Sequence, residues 1–237
     1  MTDSWNLIPN PLVWTNYPDA WRIGGIANSF RNSFIVTVSA VFILIFTAFL
    51  ASYALARIKF SGRNFIFVLM LAMWMIPGQA LIIPLYRFLF SLGITNTYFG
   101  LILPYAAGGL PFAVFVLTTF IRTIPWEIEE ATIIDGASRL RIIFQIIAPL
   151  AVPGLATVVI FSFMSSWNEL FLAMVILTNS RLRTLPVSIL NFNGLWGFVD
   201  YSRLFAAIII ISLPVLIVFV IFQKQFIKGL TAGAVKS

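Results

Sequence analysis

Long apolar runs, separated by short polar segments, occupy most of this chain of 237 residues. A membrane-spanning helix needs about 20 mainly apolar residues. Five runs have roughly that length or more, at residues 34–55, 65–85, 98–121, within 142–177, and 204–222. None of them alternates apolar with polar residues as a membrane β-strand does, so we predict an all-α bundle of about five membrane-spanning helices.

Prolines and glycines interrupt the last four of these runs. They are Pro77, Pro84, Pro104, Gly108, Gly109, Pro111, Pro149, Pro153 and Pro214. Each proline removes a backbone hydrogen bond that lipid cannot replace, so packed neighbours or water must satisfy the freed carbonyl group. Such interruptions are typical of a transport pathway or a moving joint, and equally of ordinary kinks between packed helices. The pattern alone leaves both interpretations open.

The composition supports a membrane environment and argues against catalysis. Hydrophobic residues make up 60% of the sequence and charged residues 10%, whereas a soluble domain carries roughly 25% charged residues. The chain has no cysteine and no histidine, which excludes disulfides and thiolate metal sites and removes the commonest general base. We therefore predict that the protein is not an enzyme and holds no catalytic residue, metal or cofactor.

Basic residues cluster in short loops beside the apolar runs, which explains the net charge of +7 without nucleic-acid binding. The loops after the first and third runs and the C-terminal tail contain Arg57, Lys59, Arg63, Arg122, Arg139, Arg141, Lys224, Lys228 and Lys236. These groups fall on one side of the membrane, which the positive-inside rule identifies as cytoplasmic. We therefore expect a multi-pass membrane protein with a cytoplasmic C-terminus.

This orientation divides the chain into three parts. Residues 1–32 form an extracytoplasmic segment, residues 33–228 form the membrane domain with a cytoplasmic loop at 123–145, and residues 229–237 form a cytoplasmic tail. Residue 1 would then lie outside with no span before it, so either a preceding span is missing or this segment crosses the membrane unaided, and we favour the first interpretation. We therefore expect that a first span is missing here, either through truncation or in a real five-span variant.

The cytoplasmic loop contains the polar sequence EEATIIDGAS, residues 129–138, in an otherwise apolar protein. Pro125 suits the first position of a helix, and three glutamates follow it where the helix dipole favours carboxylates. Gly136 after Asp135 is typical of a helix end, and Ser138 can cap a second helix that leads into the fourth run. We predict a short helix between Pro125 and Gly136.

Apolar residues lie on two sides of this short helix. Trp126 and Ile133 belong to one side, and Ala131 and Ile134 to the other. One side could rest on the membrane domain while the other contacts a soluble partner. Alternatively, the helix could lie on the lipid headgroups, although three glutamates suit an anionic surface poorly.

The spacing of several motifs resembles that of ABC importer permeases of the carbohydrate, maltose-transporter type. These motifs are ASYALARIKFSGRN at 51–64, IPGQALIIPLY at 76–86, LGITNTYFGLILP at 92–104, IPWEIEEATIIDGAS at 124–138, SSWNEL at 165–170 and KGLTAGAVK at 228–236. The resemblance runs from about Trp5 to the end of the chain. Relatives usually begin with a further span, so the resemblance agrees with the expected missing span.

The resemblance implies the fold of an ABC importer bundle and a coupling role for the loop helix, named the EAA loop in this family. The residues that it assigns to contact with the ATPase are Glu129, Glu130, Ala131, Asp135, Gly136 and Ala137. It further implies a bacterial or archaeal plasma membrane. The implied partners are ATP-binding cassette ATPase subunits, a second permease subunit, an extracytoplasmic solute-binding protein and membrane lipid, with ATP bound by the ATPase.

The implied function is to form half of the translocation path of an ATP-driven importer, with sugars as the expected solutes. Another small solute such as glycerol phosphate stays open, and so does a secondary carrier, which would need intramembrane charges. Glu169 is the acidic residue within the apolar runs, beside Asn168. Because intramembrane carboxylates often mark pathways, both residues are candidates for the translocation path, although Glu169 could equally reach water at the end of its span.

Overall fold

The computed structural model describes residues 13–23, 25–192 and 200–234, and over these residues the chain is helical with no strand. Three helices are long and apolar enough to cross a membrane, and counting each of two bent pairs as one span gives five crossings. The predicted all-α membrane bundle is confirmed. Residues 1–12 and 235–237, which belong to the predicted outer segment and tail, lie outside the described residues.

The helices are numbered here in chain order. They are α1 (Asn16–Ile23), α2 (Ile26–Arg57), α3 (Arg63–Trp74), α4 (Ile82–Ser91), α5 (Phe99–Thr123), α6 (Trp126–Ile134), α7 (Arg139–Leu150), α8 (Val152–Trp167), α9 (Phe171–Ile176), α10 (Leu185–Ser188) and α11 (Tyr201–Ala234). Helices α2, α5 and α11 are the long ones. The bent pairs are α3 with α4 and α7 with α8.

Helix α2 packs along α5 and forms the centre of the bundle with it. It begins at Ile26, so the domain boundary that we predicted at residue 33 falls inside a helix. Leu44 of α2 and Leu117 and Ile121 of α5 are almost fully buried between the two helices. A Cβ atom on Gly109 would lie 2.7 Å from the Leu44 side chain, so glycine at this position permits the close approach.

Helix α5 is continuous, although its two prolines and its glycine pair predicted an interrupted run. Pro104 and Pro111 both lie inside this helix of 25 residues. Pro111 is buried against neighbouring elements, and a packed environment is what allows a membrane helix to tolerate a lost backbone hydrogen bond. The paired glycines at 108–109 leave the helix unbroken, and Gly109 serves the close packing against Leu44.

The second run is broken in the middle, as its prolines suggest. Helix α3 ends at Trp74, Pro77 has an extended ψ of 122°, and a 3-10 turn, Gly78–Leu81, leads into α4. The two halves meet at an angle of 91°. None of the residues of α3, all of which the structure describes, is buried. A space lies at this break, lined by residues of both halves and of α5.

The fourth run is also bent. Helix α7 contains a π-helical segment, Ile142–Ile147, and meets α8 at 75°. Pro149 and Pro153 flank the bend at Ala151, and each of them lacks the N–H group that would continue the hydrogen-bond ladder. Helix α8 then packs against α2, α5 and α11.

The polar connections gather at two ends of the bundle. At one end, here called the α6 end, Arg57 donates to the carbonyl oxygen of Ile124 at 2.7 Å. This bond joins the end of the first apolar run to the loop that follows the third run. At the opposite end, the buried Asn32 side chain donates to the carbonyl oxygens of Arg181 and Arg183, both at 2.9 Å. Tyr98 donates to Asn32 Oδ1 at 2.7 Å. Helix α2 thus holds a loop at each end.

Candidate functional site

Helix α6 begins at Trp126, with Glu127 and Glu129 in its first turn as predicted. Pro125 has φ −57° and ψ 137°, so it is the residue before the helix and not its first residue. The prediction for Pro125 was therefore wrong by one position. Proline fixes φ near −65°, which suits both positions, so the sequence does not distinguish them.

A Schellman turn ends α6. The N–H of Gly136 donates to Ile133 O at 3.0 Å, and the N–H of Ala137 donates to Thr132 O at 3.2 Å. Gly136 has a φ of 77°, in the left-handed region that glycine tolerates best, which confirms the predicted helix stop. Ser138 Oγ then accepts from the N–H of Arg141 at 3.4 Å and caps α7, also as predicted.

Glu129 is the buried residue of α6; the other residues of this fully described helix are exposed or half-buried. Its side chain is 1% exposed and pairs with the Arg57 guanidinium at the end of α2. The hydroxyl of Tyr53, one turn earlier in α2, donates to Glu129 Oε2 at 3.1 Å. A buried carboxylate is costly unless it is paired and hydrogen-bonded, and here both conditions are met.

Arg57 holds the start of the α6 loop as well as Glu129. Beyond its bond to the Ile124 carbonyl oxygen, its guanidinium carbon lies 5.5 Å from the centre of the Trp126 ring. A guanidinium at that distance from an aromatic face gains a cation–π attraction. One basic side chain of α2 therefore contacts the entry, the first residue and the first turn of α6.

The other predicted coupling residues point away from the bundle, with one exception. Glu130, Ala131, Asp135 and Gly136 are exposed, while Ala137 is half-buried against the core between α2 and α5. Glu130 accepts a hydrogen bond from the Trp126 indole at 2.8 Å.

Neither apolar side of α6 rests fully on the membrane domain, contrary to one of the predicted alternatives. Trp126 is 41% exposed, Ile133 52% and Ile134 85%. The helix is held through its carboxylate instead, because Tyr53 and Arg57 together offer a donor and a positive charge where an apolar side chain would leave both unpaired. Its apolar side chains stay available at the surface.

A cavity of about 740 Å³ lies at the break between α3 and α4. Its polar lining consists of Gln79, Tyr105, Ser162, Ser165, Ser166 and Glu169. Aromatic rings from Trp74, Phe112, Phe161 and Phe171 line the remainder, together with aliphatic residues. Small-molecule sites typically occupy about 300–1,000 Å³ and combine apolar walls with a few polar groups, so this space has the size of a solute site.

Glu169 lies in the connection between α8 and α9, at the edge of this cavity. Its Oε1 accepts from the N–H of Leu172 at 2.8 Å, and its Oε2 accepts from the N–H of Ala173 at 3.0 Å. The Tyr105 hydroxyl donates to Oε2 at 2.7 Å. The carboxylate thus caps α9 and ties it to α5. Asn168, the other predicted pathway residue, donates to the Met164 carbonyl oxygen and does not line the cavity.

Tyr53, Arg57 and Tyr105 are site residues that were not predicted from the sequence. Arg57 counts there only as an orientation signal, and the two tyrosines are read as parts of apolar runs. A usable signal existed for the first two, because Tyr53 and Arg57 are four residues apart and share a helix face at the end of a span. No comparable local pattern marks Tyr105. Within the described residues no group of three or more acidic side chains could hold a metal ion.

Comparison with known proteins gives the family. Residues 43–232 match the family described as "Binding-protein-dependent transport system inner membrane component". The chain belongs to this family. The resemblance proposed from the motifs is confirmed, and the protein is a multi-pass permease component of a membrane transport system and not an enzyme. Its transport system depends on a separate binding protein.

Several curated relatives match nearly the whole chain. The diacetylchitobiose uptake system permease protein NgcG of Streptomyces coelicolor is 37% identical and covers 95% of this chain and 75% of its own length. The trehalose transport system permease protein SugB of Mycobacterium tuberculosis is 36% identical, and the match covers 97% of this chain and 84% of SugB. A solved bacterial ABC transporter involved in the import of the acidic polysaccharide alginate superposes with a TM-score of 0.80 at 25% identity, covering 92% of this chain and 81% of its own.

Proposed function

We propose that this permease forms half of the translocation path of an ATP-driven sugar importer and that α6 couples it to an ATPase subunit. A second permease subunit would complete the path, and an extracytoplasmic binding protein would deliver the solute. The names of the trehalose and diacetylchitobiose relatives support sugars as the solute class. The α6 end would face the cytoplasm, and the tail after α11 would lie on the same side.

The observation that carries the coupling proposal is the exposure of α6. Ile134 is 85% exposed beside the exposed Ala131, at the end of the bundle that holds the basic loops. An apolar side chain projecting into water gains free energy when a protein partner covers it. The Schellman turn at Gly136 keeps the exposed end of the helix compact, so a cleft in an ATPase could receive it.

The lining of the cavity supports a neutral, hydroxyl-rich solute. Serine hydroxyls and the Gln79 amide can hydrogen-bond sugar hydroxyls, and the aromatic rings can stack on the apolar faces of a sugar ring. The lining contains no lysine or arginine among the described residues, and it contains the carboxylate of Glu169. An anion such as glycerol phosphate would meet repulsion there, so the cavity favours a sugar over this alternative.

Site-directed photo-cross-linking tests the coupling proposal directly. The natural chain has no cysteine, so a single cysteine at Ile134 or Ala131 can carry a benzophenone label without background from this subunit. In membranes that contain the whole transport system, we expect both labels to capture the ATPase subunit, identified by mass spectrometry.

The matched control is a label on Leu92, which is 54% exposed next to α4 and lies far from α6 along the bundle. It should not capture the ATPase. Capture of phospholipid alone from Ile134 and Ala131 would contradict a coupling role for α6.

A further inference from the structure

We infer that Tyr53, Arg57 and Glu129, here called the α6 anchor, make α6 and α2 move as one body during the transport cycle. Arg57 is then a positioning residue, acting through Glu129 on the helix that contacts the ATPase. This inference rests on the proposed coupling role of α6. It adds the route by which displacement of α6 enters the membrane domain.

The first argument concerns what holds α6 in place. The side chain that α6 buries is a carboxylate, and no residue of α6 belongs to an apolar core of the bundle. Apart from its covalent connections to α5 and α7 and its packing against the Ile142–Ile147 segment of α7, the helix is fixed by polar contacts to Tyr53 and Arg57. Those two residues lie on α2, which is not adjacent to α6 in sequence.

The second argument concerns the cost of separating the two helices. The side chains of Arg57 and Glu129 are 8% and 1% exposed, so sliding α6 along α2 would leave two charges desolvated and unpaired. Such a pair therefore favours displacement of α2 and α6 together over motion of one helix relative to the other. Packed elements of this kind shift as rigid bodies from one discrete arrangement to another.

The third argument concerns what lies beyond the anchor. Tyr53 is part of the apolar core that α2 shares with α5 and α7, together with Leu117, Ile121 and Ile142. Displacement of α6 would therefore reach the centre of the bundle through the side of α2. The covalent path through the ends of α5 and α7 would be an addition to this route and not its replacement.

The test measures the distance between α6 and α2 in the complete reconstituted transporter. Nitroxide labels are attached to cysteines at Glu127, an exposed site on α6, and at Phe46, which is 50% exposed on α2. The pair distance is measured by pulsed electron paramagnetic resonance without nucleotide and after trapping with ATP and vanadate. No transported solute is needed, because ATP itself is the probe.

The expected result compares three backgrounds. With the anchor intact, the distance should stay the same on trapping; with Arg57→Ala it should shift by about 1–2 Å, the scale of helix shifts in switching proteins. Arg122→Ala is the matched control, because Arg122 is an exposed cation in the last turn of α5 whose guanidinium lies over the Phe67 ring of α3. It should behave like the intact protein, and Arg57→Lys should restore much of the constraint.

A distance that changes in the intact protein, or that stays constant in Arg57→Ala, would overturn the inference. The cross-link from Ala131 to the ATPase, recorded on the same preparations, separates this failure from failure of the proposed function. If the cross-link is present and the distances disagree, the anchor is wrong while coupling through α6 stands. If the cross-link is absent, the coupling proposal itself fails.

Discussion

Glu129 at the α6 end and Glu169 beside the cavity are carboxylates of one bundle, yet their charges are compensated in different ways. Glu129 faces a guanidinium from another helix. Glu169 accepts from backbone N–H groups of Leu172 and Ala173 and from the Tyr105 hydroxyl, and it forms no ion pair within the described residues. The first arrangement links two helices through charge, whereas the second fixes a local backbone turn and leaves an anion next to the solute space.

This difference separates two tasks that a permease has to perform. An ion pair between helices is expensive to break, which suits a contact that transmits force. A carboxylate that caps a helix, as Glu169 caps α9, fixes the junction of α8 and α9 and makes the adjacent cavity wall negatively charged. Variants that remove each compensating group test whether the two carboxylates do differ in this way.

The largest effect is expected at the α6 anchor. Arg57→Ala leaves the Glu129 carboxylate buried without its cation, and loss of one partner of a buried pair typically costs about 3–5 kcal/mol in the free energy of unfolding. Thermal unfolding of the purified transporter in detergent measures it. The double variant Arg57→Met with Glu129→Leu should recover most of that stability, since replacing both charges with apolar groups is often close to neutral. Equal stabilities of Arg57→Ala and the intact protein would mean that the pair is not buried in the folded protein.

A smaller effect is expected at Glu169. Glu169→Gln keeps the shape but places an amide NH₂ against a backbone N–H or the Tyr105 hydroxyl, and one unsatisfied buried donor costs about 1–3 kcal/mol. Tyr105→Phe removes one donor and should cost a similar amount or less, with little added loss in the double variant because both changes break the same bond. The same unfolding measurement checks this. A loss as large as that of Arg57→Ala would indicate a hidden cationic partner for Glu169.

The smallest effect concerns solute charge. The carboxylate of Glu169, which forms no ion pair within the described residues, should disfavour anions in the cavity by about 1.4 kcal/mol, equivalent to about a tenfold preference for a neutral solute. Uptake of radiolabelled trehalose and of glycerol 3-phosphate into vesicles containing the complete system gives this preference as a ratio of rates. The ratio should fall in Glu169→Gln. An unchanged ratio would assign the discrimination to the binding protein alone.

Much of the fold was predictable because its signals are long or local. A run such as 34–55 exceeds the length that a bilayer requires, and the order of Asp135, Gly136 and Ser138 specifies a helix end followed by a cap. The break at Pro77 was suggested by its proline, but the continuity of α5 through Pro104 and Pro111 was not, because it depends on tertiary packing. Local composition cannot report which neighbours surround a proline.

The site was predictable in outline and not in its contacts. The family resemblance identified the α6 loop, but it treated Glu129 as one of six residues facing the ATPase, and the structure turns this side chain inward to Arg57. The two residues are 72 positions apart, so their pairing is a property of how α2 meets the loop and leaves no trace in spacing. Tyr105 and Glu169 are likewise joined only by packing of α5 against the end of α8.

Helix α2 has no proline or glycine along its 32 residues, and at about 1.5 Å per residue it is about 48 Å long. Near one end, Asn32 donates hydrogen bonds to the 181–183 loop. At the other end, Arg57 donates to Ile124, just before α6, and pairs with Glu129. Helix α2 is therefore bonded to another segment near each end and has no proline or glycine between them at which it could bend. Under the proposed coupling, an ATPase that tilts α2 through α6 would also reorient the 181–183 loop, so the two ends of the bundle would share one mechanical coordinate.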